Sequence, residues 1–230
     1  VSGLSCAYRL NQLGVKPVIF ERRPIIGEAI NLYGMHLHCF NHVLGNNPLG
    51  SLEKRYQLKI KPMGEVRKLT MIAGEREVTV KGHLGYLFNR GAERTSLEHQ
   101  LFNQVEAEIH MDTLIPDDMV EDIAREFDSV VVATGRGDIP DSLGIVQASG
   151  MIAVRGAIMA GNFEPGQVIS WLKTDYSGNF FVYLIPISKN RAKLTLMSDC
   201  VSVRDLDSMW KQMLTGEAIQ NNFLETWDME

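Results

Sequence analysis

The first 21 residues contain the patterns of a helix, a tight turn and a strand. Few folds connect a helix to a strand over so short a segment. Apolar residues recur at near-helical spacing through residues 2–13, and Gly14 follows as the expected helix end. Val18-Ile19-Phe20 is then a short apolar strand that stops at Glu21. This order and spacing predict the later part of a parallel βαβ crossover.

The two ends of this segment carry the residues that a dinucleotide-binding unit needs. Gly3 stands where the helix begins and lets it pack closely on a strand, and Glu21 follows at the distance typical of a ribose-binding acid. Val1, Ser2 and Gly3 fit the last three positions of a Gly-x-Gly-x-x-Gly loop. There the helix N-terminus presents N–H groups to a pyrophosphate. The first strand of the unit, normally central in its sheet, is expected ahead of Val1.

A second apolar segment, residues 128–135, reads Asp-Ser-Val-Val-Val-Ala-Thr-Gly. Its unbroken apolar run predicts a strand buried on both faces of a parallel sheet, ending in a turn of small residues. The sequence between the N-terminal unit and this segment contains stretches with the pattern of antiparallel strands.

The rest of the chain alternates between these two patterns. Antiparallel strands are predicted within 56–89 and 151–198, helices at 93–107, 117–126 and 205–214, and mostly loop with one short helix at 24–50. This order favours two interleaved domains, each discontinuous in sequence. The predicted boundaries are 1–50 with 89–143 for one domain, and 51–88 with 144–230 for the other.

Three motifs carry a resemblance to a known family. They are NRGxxxxSLExQL at 89–101, DSVVVATGRG at 128–137, and a looser group of Phe163-Glu164-Pro165-Gly166, Trp171, Tyr176 and Tyr183 to Pro186. With them the chain resembles the geranylgeranyl-reductase-like FAD-dependent oxidoreductases, which share the p-hydroxybenzoate-hydroxylase-like flavoprotein fold. The resemblance spans most of residues 1–200.

That resemblance implies an α/β fold in which an FAD-binding, Rossmann-like parallel sheet is interleaved with an antiparallel β-sheet substrate domain. It implies FAD as the cofactor, and a further Gly-Asp motif for FAD is expected after Glu230. The implied cofactor-binding residues are Val1, Ser2 and Gly3 at the pyrophosphate, Glu21 at the adenosine ribose with Arg22 beside it, Arg90 on the cofactor, and Ala133, Thr134 and Gly135 at its nucleotide end.

The expected function is that of an FAD-dependent oxidoreductase acting on a hydrophobic, prenyl-like or small organic substrate. NAD(P)H and ferredoxin are both open as electron donors. A flavin monooxygenase or halogenase of the same fold is one alternative, and a non-catalytic scaffold with an incomplete nucleotide site is another. A simple NAD-dependent dehydrogenase is disfavoured, since its βαβ pattern would continue where this chain inserts antiparallel strands.

His36, His38, Cys39 and His42 form the densest group of metal-ligating residue types. Their spacing places His36 and His38 on one face of a strand, which permits a metal site. Because no further ligand pattern completes it, a polar loop near the flavin is the preferred interpretation, and no metal is predicted.

The composition excludes several other classes of protein. A net charge of −5, with basic residues scattered along the chain, argues against a nucleic-acid partner. No apolar run approaches the roughly 18 residues of a membrane span. Three widely spaced cysteines, Cys6, Cys39 and Cys200, are typical of free thiols in a reducing compartment, which predicts a cytoplasmic protein.

Overall fold

The computed structural model describes residues 1–28, 35–40, 43–135, 138–145, 152–172, 181–199, 203–220 and 222–229. The helices are α1 (Ser2–Gln12), α2 (Pro48–Tyr56), α3 (Leu97–Phe102), α4 (Val120–Glu126), α5 (Asp138–Ser142) and α6 (Val203–Gly216). The strands are β1 (Val18–Phe20), β2 (Met35–His38), β3 (Gly64–Ala73), β4 (Arg76–Phe88), β5 (Glu108–His110), β6 (Ala153–Ala160), β7 (Gln167–Leu172), β8 (Phe181–Ser188), β9 (Arg191–Ser198) and β10 (Phe223–Met229). No helix in these ranges combines the length and apolar character needed to cross a membrane.

The chain divides into two compact units. Unit 1 comprises Val1–Leu32, Leu52–Lys61 and Asn89–Ser149, and unit 2 comprises Tyr33–Ser51, Pro62–Phe88 and Gly150–Glu230. Each unit is therefore assembled from separated stretches of sequence.

Unit 1 contains the predicted N-terminal helix and strand. Helix α1 ends where Gly14 adopts a φ of +79°, a left-handed conformation that glycine takes at little cost. Strand β1 then pairs in parallel with β5, with Phe20 opposite His110. Their rings stack at a centroid distance of 5.1 Å. Within the described residues this parallel sheet has two strands, so the larger Rossmann-like sheet expected from the sequence is not formed there.

The predicted buried strand at 128–135 is wrong for this structure. Residues 129–134 belong to no strand, and the side chains of Val130 and Val131 are 43% and 62% exposed. The physical reason is that no described strand runs beside this segment to pair with its main chain. An apolar run predicts burial only if neighbouring strands cover it.

Unit 2 is built on an eight-stranded sheet in the order β10-β6-β9-β8-β7-β3-β4-β2. All neighbouring pairs are antiparallel except β3 and β7, which run in parallel. The antiparallel strands predicted within 151–198 correspond to β6, β7, β8 and β9.

The main core of unit 2 lies between this sheet and α6. Leu206, Trp210 and Met213 on one side of the helix pack on buried apolar side chains of the sheet, among them Leu194 and Leu196 of β9. Arg155 of β6 completes the attachment, because its guanidinium binds Asp228 of β10 through two contacts of 2.6 Å and also pairs with Asp207 of α6.

Several predicted elements differ from the structure. The stretch 24–50, predicted to be mostly loop with one short helix, contains strand β2 and the start of α2. Residues 57–62, at the start of the stretch predicted to contain antiparallel strands, form no strand, and the helix predicted at 93–107 is limited to α3. Strand β10 was not predicted. β2 and β10 both exist through pairing with distant residues, β4 and β6 respectively, which local patterns do not reveal.

Replacing Met213 by Ala tests the packing of α6. Met213 is fully buried in the core, so M213A is expected to lower the free energy of unfolding by about 2–5 kcal/mol through lost apolar contact and a residual cavity. Urea unfolding followed by circular dichroism measures the change. K211A on the exposed side of the same helix is the control, and an equal effect of both substitutions would contradict the assignment of the core.

Candidate functional site

The start of α1 lies directly against residue 133 of unit 1. A Cβ placed on Gly3 would lie 3.3 Å from the Cβ of Ala133, which is tighter than nearly all such contacts in proteins. Glycine at position 3 therefore sets how closely the helix approaches this segment. Two of the predicted cofactor-binding residues, far apart in sequence, are thus neighbours.

The N-terminus of α1 has the properties of an anion-binding helix end. Val1 is its N-cap residue and provides no side-chain cap, while the Ser5 N–H donates to the Val1 carbonyl at 2.8 Å. The N–H groups of the first turn have no partner within a helix, and the aligned peptide dipoles make this end positive. This end suits a phosphate group.

Glu21 lies directly after β1 and is half-buried. Its main chain is fixed on both sides, because its N–H donates to the His110 carbonyl at 2.9 Å and its own carbonyl accepts from the Thr113 N–H at 2.9 Å. Its carboxylate accepts from the Arg23 N–H at 3.0 Å. The backbone around Glu21 is therefore held in place by β5 and the residues after it, whereas the neighbouring Arg22 is exposed.

Arg90 is held by a buried carboxylate. Its Nε donates to Oε1 of Glu98 at 2.5 Å, and the Gly91 N–H donates to the other carboxylate oxygen at 3.1 Å. The side chain of Glu98 is 4% exposed and that of Arg90 is 18% exposed. Ser96 caps α3 by accepting from the His99 N–H, and this cap helps to place Glu98 in the first turn.

The charged residues of unit 1 converge on the start of α1. The side chains of Glu98, Arg90 and Glu21 all lie close enough to the main-chain nitrogen of Val1 to act on it electrostatically. Val1, Glu21 and Arg90, predicted from separate motifs, therefore occupy one region of unit 1, together with Gly3 and Ala133.

One feature of this region was missed from the sequence. Gly27 has a φ of +80°, and a Cβ there would lie 2.1 Å from the carbonyl oxygen of Gly91. No other residue fits this contact between the loop after β1 and the Arg90-Gly91 turn. The only indication in the sequence was the presence of Gly27 four residues after Arg22-Arg23. Its contact with Gly91 could not be predicted from the local sequence.

The remaining predicted residues lie at the outer end of the region. Ser2 is exposed at the start of α1, and Thr134 and Gly135 are exposed. A Cβ on Gly135 would meet no atom within 4 Å, so open space adjoins the end of this segment.

The histidine group of unit 2 does not assemble into a metal site in the described part of the chain. His36 and His38 lie on β2, in a stretch that was predicted to be mostly loop, and the His36 ring nitrogen is 3.2 Å from the Leu84 carbonyl. Burial lowers the pKa of His36 and raises that of Cys39. No three His, Cys, Asp or Glu residues converge among the described residues, and His42 lies outside them.

Comparisons with known proteins identify the fold. No family model and no curated protein sequence matches the chain. Among solved structures, it is similar to a geranylgeranyl bacteriochlorophyll reductase-like protein from Thermoplasma acidophilum, with a TM-score of 0.62, 12% identity and 99% of this chain covered. It is also similar to CmlS, a flavin-dependent halogenase, with a TM-score of 0.62, 17% identity and 99% coverage. A third is 2-methyl-3-hydroxypyridine-5-carboxylic acid oxygenase, with a TM-score of 0.55, 16% identity and 98% coverage.

The similarity extends over nearly all of this chain but only part of the others. The chain spans 62% of the length of the reductase-like protein, 47% of the halogenase and 67% of the oxygenase. At these identities the comparison establishes the fold, and it confirms at that level the resemblance found in the sequence.

Removing the carboxylate of Glu98 tests the framework of the site. E98A takes the acceptor from both the Arg90 guanidinium and the Gly91 N–H, so a loss of about 2–4 kcal/mol in the free energy of unfolding is expected. Chemical unfolding measures it. The exposed E106A is the control, and E98Q should restore part of the loss because its amide oxygen still accepts a hydrogen bond. A loss in E98A no larger than in E106A would contradict a structural role for Glu98.

Proposed function

We propose that the chain is the FAD-binding and substrate-domain part of a flavin-dependent oxidoreductase. The observation that carries the proposal is the contact of Gly3 with Ala133, which brings the uncapped N-terminus of α1 beside a segment of small residues. The fold shared with the reductase-like protein and the halogenase supports the same conclusion.

The residues of unit 1 fit the groups of a dinucleotide. The N–H groups at Val1, Ser2 and Gly3 would receive the pyrophosphate, where no side chain competes for them. Glu21, with its backbone fixed beside β5, would accept hydrogen bonds from the adenosine ribose, and Arg22 would lie beside it.

Arg90 would steady the cofactor from a position that Glu98 sets. The buried carboxylate orients the guanidinium and offsets part of its charge, which lowers the cost of holding an arginine beside a cofactor. Ala133, Thr134 and Gly135 would line the nucleotide end, where the open space at Gly135 admits a close approach.

The flavin, when bound, supplies the hydride or oxygen chemistry, and the protein supplies position, charge and exclusion of water. The substrate would be a small organic or hydrophobic, prenyl-like molecule bound by unit 2, and NAD(P)H or ferredoxin would supply electrons. Reductase, oxygenase and halogenase chemistry all occur among proteins of this fold. The free thiols of Cys6 and Cys39 suit a cytoplasmic location.

A non-catalytic nucleotide-binding module is the second candidate. The exposure of Val130 and Val131, beside the residues that would line the nucleotide, favours it. Such a module would retain nucleotide affinity through α1 and Glu21 and lack flavin turnover.

Titration of the purified chain with FAD tests the proposal. Wild type is expected to bind FAD, and E21A is expected to weaken the Kd about tenfold, equal to one strong hydrogen-bonded contact of ~1.4 kcal/mol. Flavin fluorescence and absorbance measure both. E126A, exposed on α4 of the same unit, is the control and should bind like wild type.

The possible results of this titration distinguish FAD binding, the role of Glu21 and catalytic turnover. Absence of FAD uptake by wild type would refute the flavoprotein proposal for this chain. Equal affinity of wild type and E21A would remove Glu21 from the site. Bound flavin that no electron donor reduces would favour the non-catalytic module.

A further inference from the structure

Strand β4 of unit 2 is paired on only one side along its first half. Residues 76–81 pair with β3 on that side. On the other side, β2 pairs with residues 85–88 of β4 only. Within the described ranges no strand lies along the outer side of residues 76–82, and every one of these residues is exposed. We call residues 76–82 the free edge of β4.

An open strand edge normally carries a device that prevents pairing with another chain. Such devices are a proline, a bulge, a very short strand or charges that repel. The free edge contains no proline, and its register with β3 is unbroken from residue 76 to residue 81. Two of its residues, Val78 and Val80, are apolar and 56% and 38% exposed. Its charged residues therefore decide which strand can pair there.

The main-chain groups that face outward belong to three residues of the free edge. The Lys68 N–H donates to the Gly166 carbonyl at 3.1 Å, on the β7 side, so Lys68 and Lys81 exchange no main-chain hydrogen bonds with each other. Hydrogen-bonded and non-hydrogen-bonded pairs alternate along an antiparallel ladder. Glu77, Thr79 and Lys81 therefore direct their N–H and C=O groups away from β3, where a further strand can pair with them.

The sequence of the free edge is complementary to itself in the antiparallel direction. When two copies of Glu77-Val78-Thr79-Val80-Lys81 are aligned with Thr79 opposite Thr79, Glu77 lies opposite Lys81 at both ends. Val78 then lies opposite Val80 twice. Pairs of opposite charge and pairs of β-branched side chains both stabilise neighbouring strands. The main-chain groups match as well, because the three residues that face outward lie opposite one another in this register.

Within one chain, by contrast, Lys81 faces a like charge. It lies directly opposite Lys68 of β3, in the type of pair that brings side chains closest together. Lys68 has an acidic partner in Glu164 at 3.7 Å, whereas neither Lys81 nor Glu77 has an ion-pair partner among the described residues. Like charges directly opposite each other destabilise a sheet. The Glu77 carboxylate of a second copy would offset this repulsion.

The strand at the opposite end of the sheet, β10, lacks this complementarity. Its charged residues, Glu225 and Asp228, are both acidic. No antiparallel register of β10 with itself can therefore place an acid opposite a base. Asp228 is in addition already bound by Arg155. Of these two edge strands, only β4 fits a copy of itself.

We propose that the free edge of β4 joins two copies of the chain through antiparallel pairing of residues 77–81. A twofold axis would pass between the two Thr79 residues, so the contact is closed and uses the same surface of both copies. The two eight-stranded sheets would become continuous. Because the interface is small, a dimer with a Kd of about 10–100 µM is expected. The proposal goes beyond the proposed flavin chemistry and does not depend on it.

Charge reversal tests the pairing. K81E would place two carboxylates opposite each other at both ends of the paired segment, and it is expected to weaken the dimer Kd at least ~10-fold. The double variant E77K/K81E restores opposite charges in reversed order, so its Kd is expected to return to within about threefold of wild type. Analytical ultracentrifugation of the full chain over about 5–500 µM measures each Kd. R76E is the matched control, because it changes the net charge equally and its opposing residue is Gly82.

The stability of the single chain separates a change in pairing from a change in folding. K81E places its new carboxylate opposite Lys68 of the same chain. The isolated K81E chain is therefore expected to be at least as stable as wild type. Urea unfolding at about 1 µM, where wild type and all variants are monomeric, measures this stability.

Hydrogen exchange followed by NMR locates the surface without any substitution. When the protein concentration is raised from about 50 to 500 µM, exchange of the Glu77, Thr79 and Lys81 amides is expected to slow about twofold or more. The reason is that these outward-facing N–H groups gain partners in the dimer. The amides of β10, at the opposite end of the sheet, are expected to exchange at the same rate at both concentrations.

Several results would overturn the proposal. A wild-type chain that stays monomeric over the whole concentration range would leave the free edge to a strand of another protein. Dimerisation of K81E with wild-type affinity, or no recovery in E77K/K81E, would show that the charges do not meet across the interface. An equal loss in R76E, or slowed exchange elsewhere than at the free edge, would place the contact on another surface. Each of these results is independent of FAD uptake.

Discussion

The large sheet of unit 2 buries both faces of its interior strand β9, and this constraint shapes most of that unit. One face of β9 packs on α6, where Leu194, Leu196 and Met213 meet. The other face is covered in part by Trp227, so Ala192 to Leu196 of the strand are all buried. A polar residue placed there has either to find a partner or to remain unpaired in a low-dielectric environment.

Unit 1 depends in the same way on one buried group, the carboxylate of Glu98. It holds Arg90 and the Gly91 N–H, and the contact of Gly27 with the Gly91 carbonyl fixes the same turn from the other side. The turn is thus held from two sides, although it contains Gly91. A rigid turn of this kind keeps a guanidinium in one place, which is what recognition of a cofactor requires of the side chains that contact it.

The spacing of apolar residues along the sequence predicted those helices and strands whose formation depends on neighbouring residues in the chain. This spacing predicted α1, β1, β6 to β9 and α6. What it did not predict depends on contacts between distant residues. The segment 129–134 has the composition of a buried strand but no described neighbour to pair with, whereas β10 has a weak pattern and forms because β6 pairs with it. The contact of Gly27 with Gly91 also joins distant residues. The sequence contains both glycines, but it does not indicate that they are in contact.

Lys193 shows why such failures of local prediction are informative. Alternation in Arg-Ala-Lys-Leu-Thr-Leu predicts a strand with one polar face in solvent, and the strand exists, but that face is buried. A sequence selected only for stability would have replaced the lysine, because an apolar side chain there stabilises the sheet without an unpaired charge. Natural sequences depart from local rules at a few positions, and such departures are offset elsewhere in the fold. The cation–π contact of the Lys193 ammonium with the Trp227 ring, at 5.2 Å, offsets part of the cost of burying that charge.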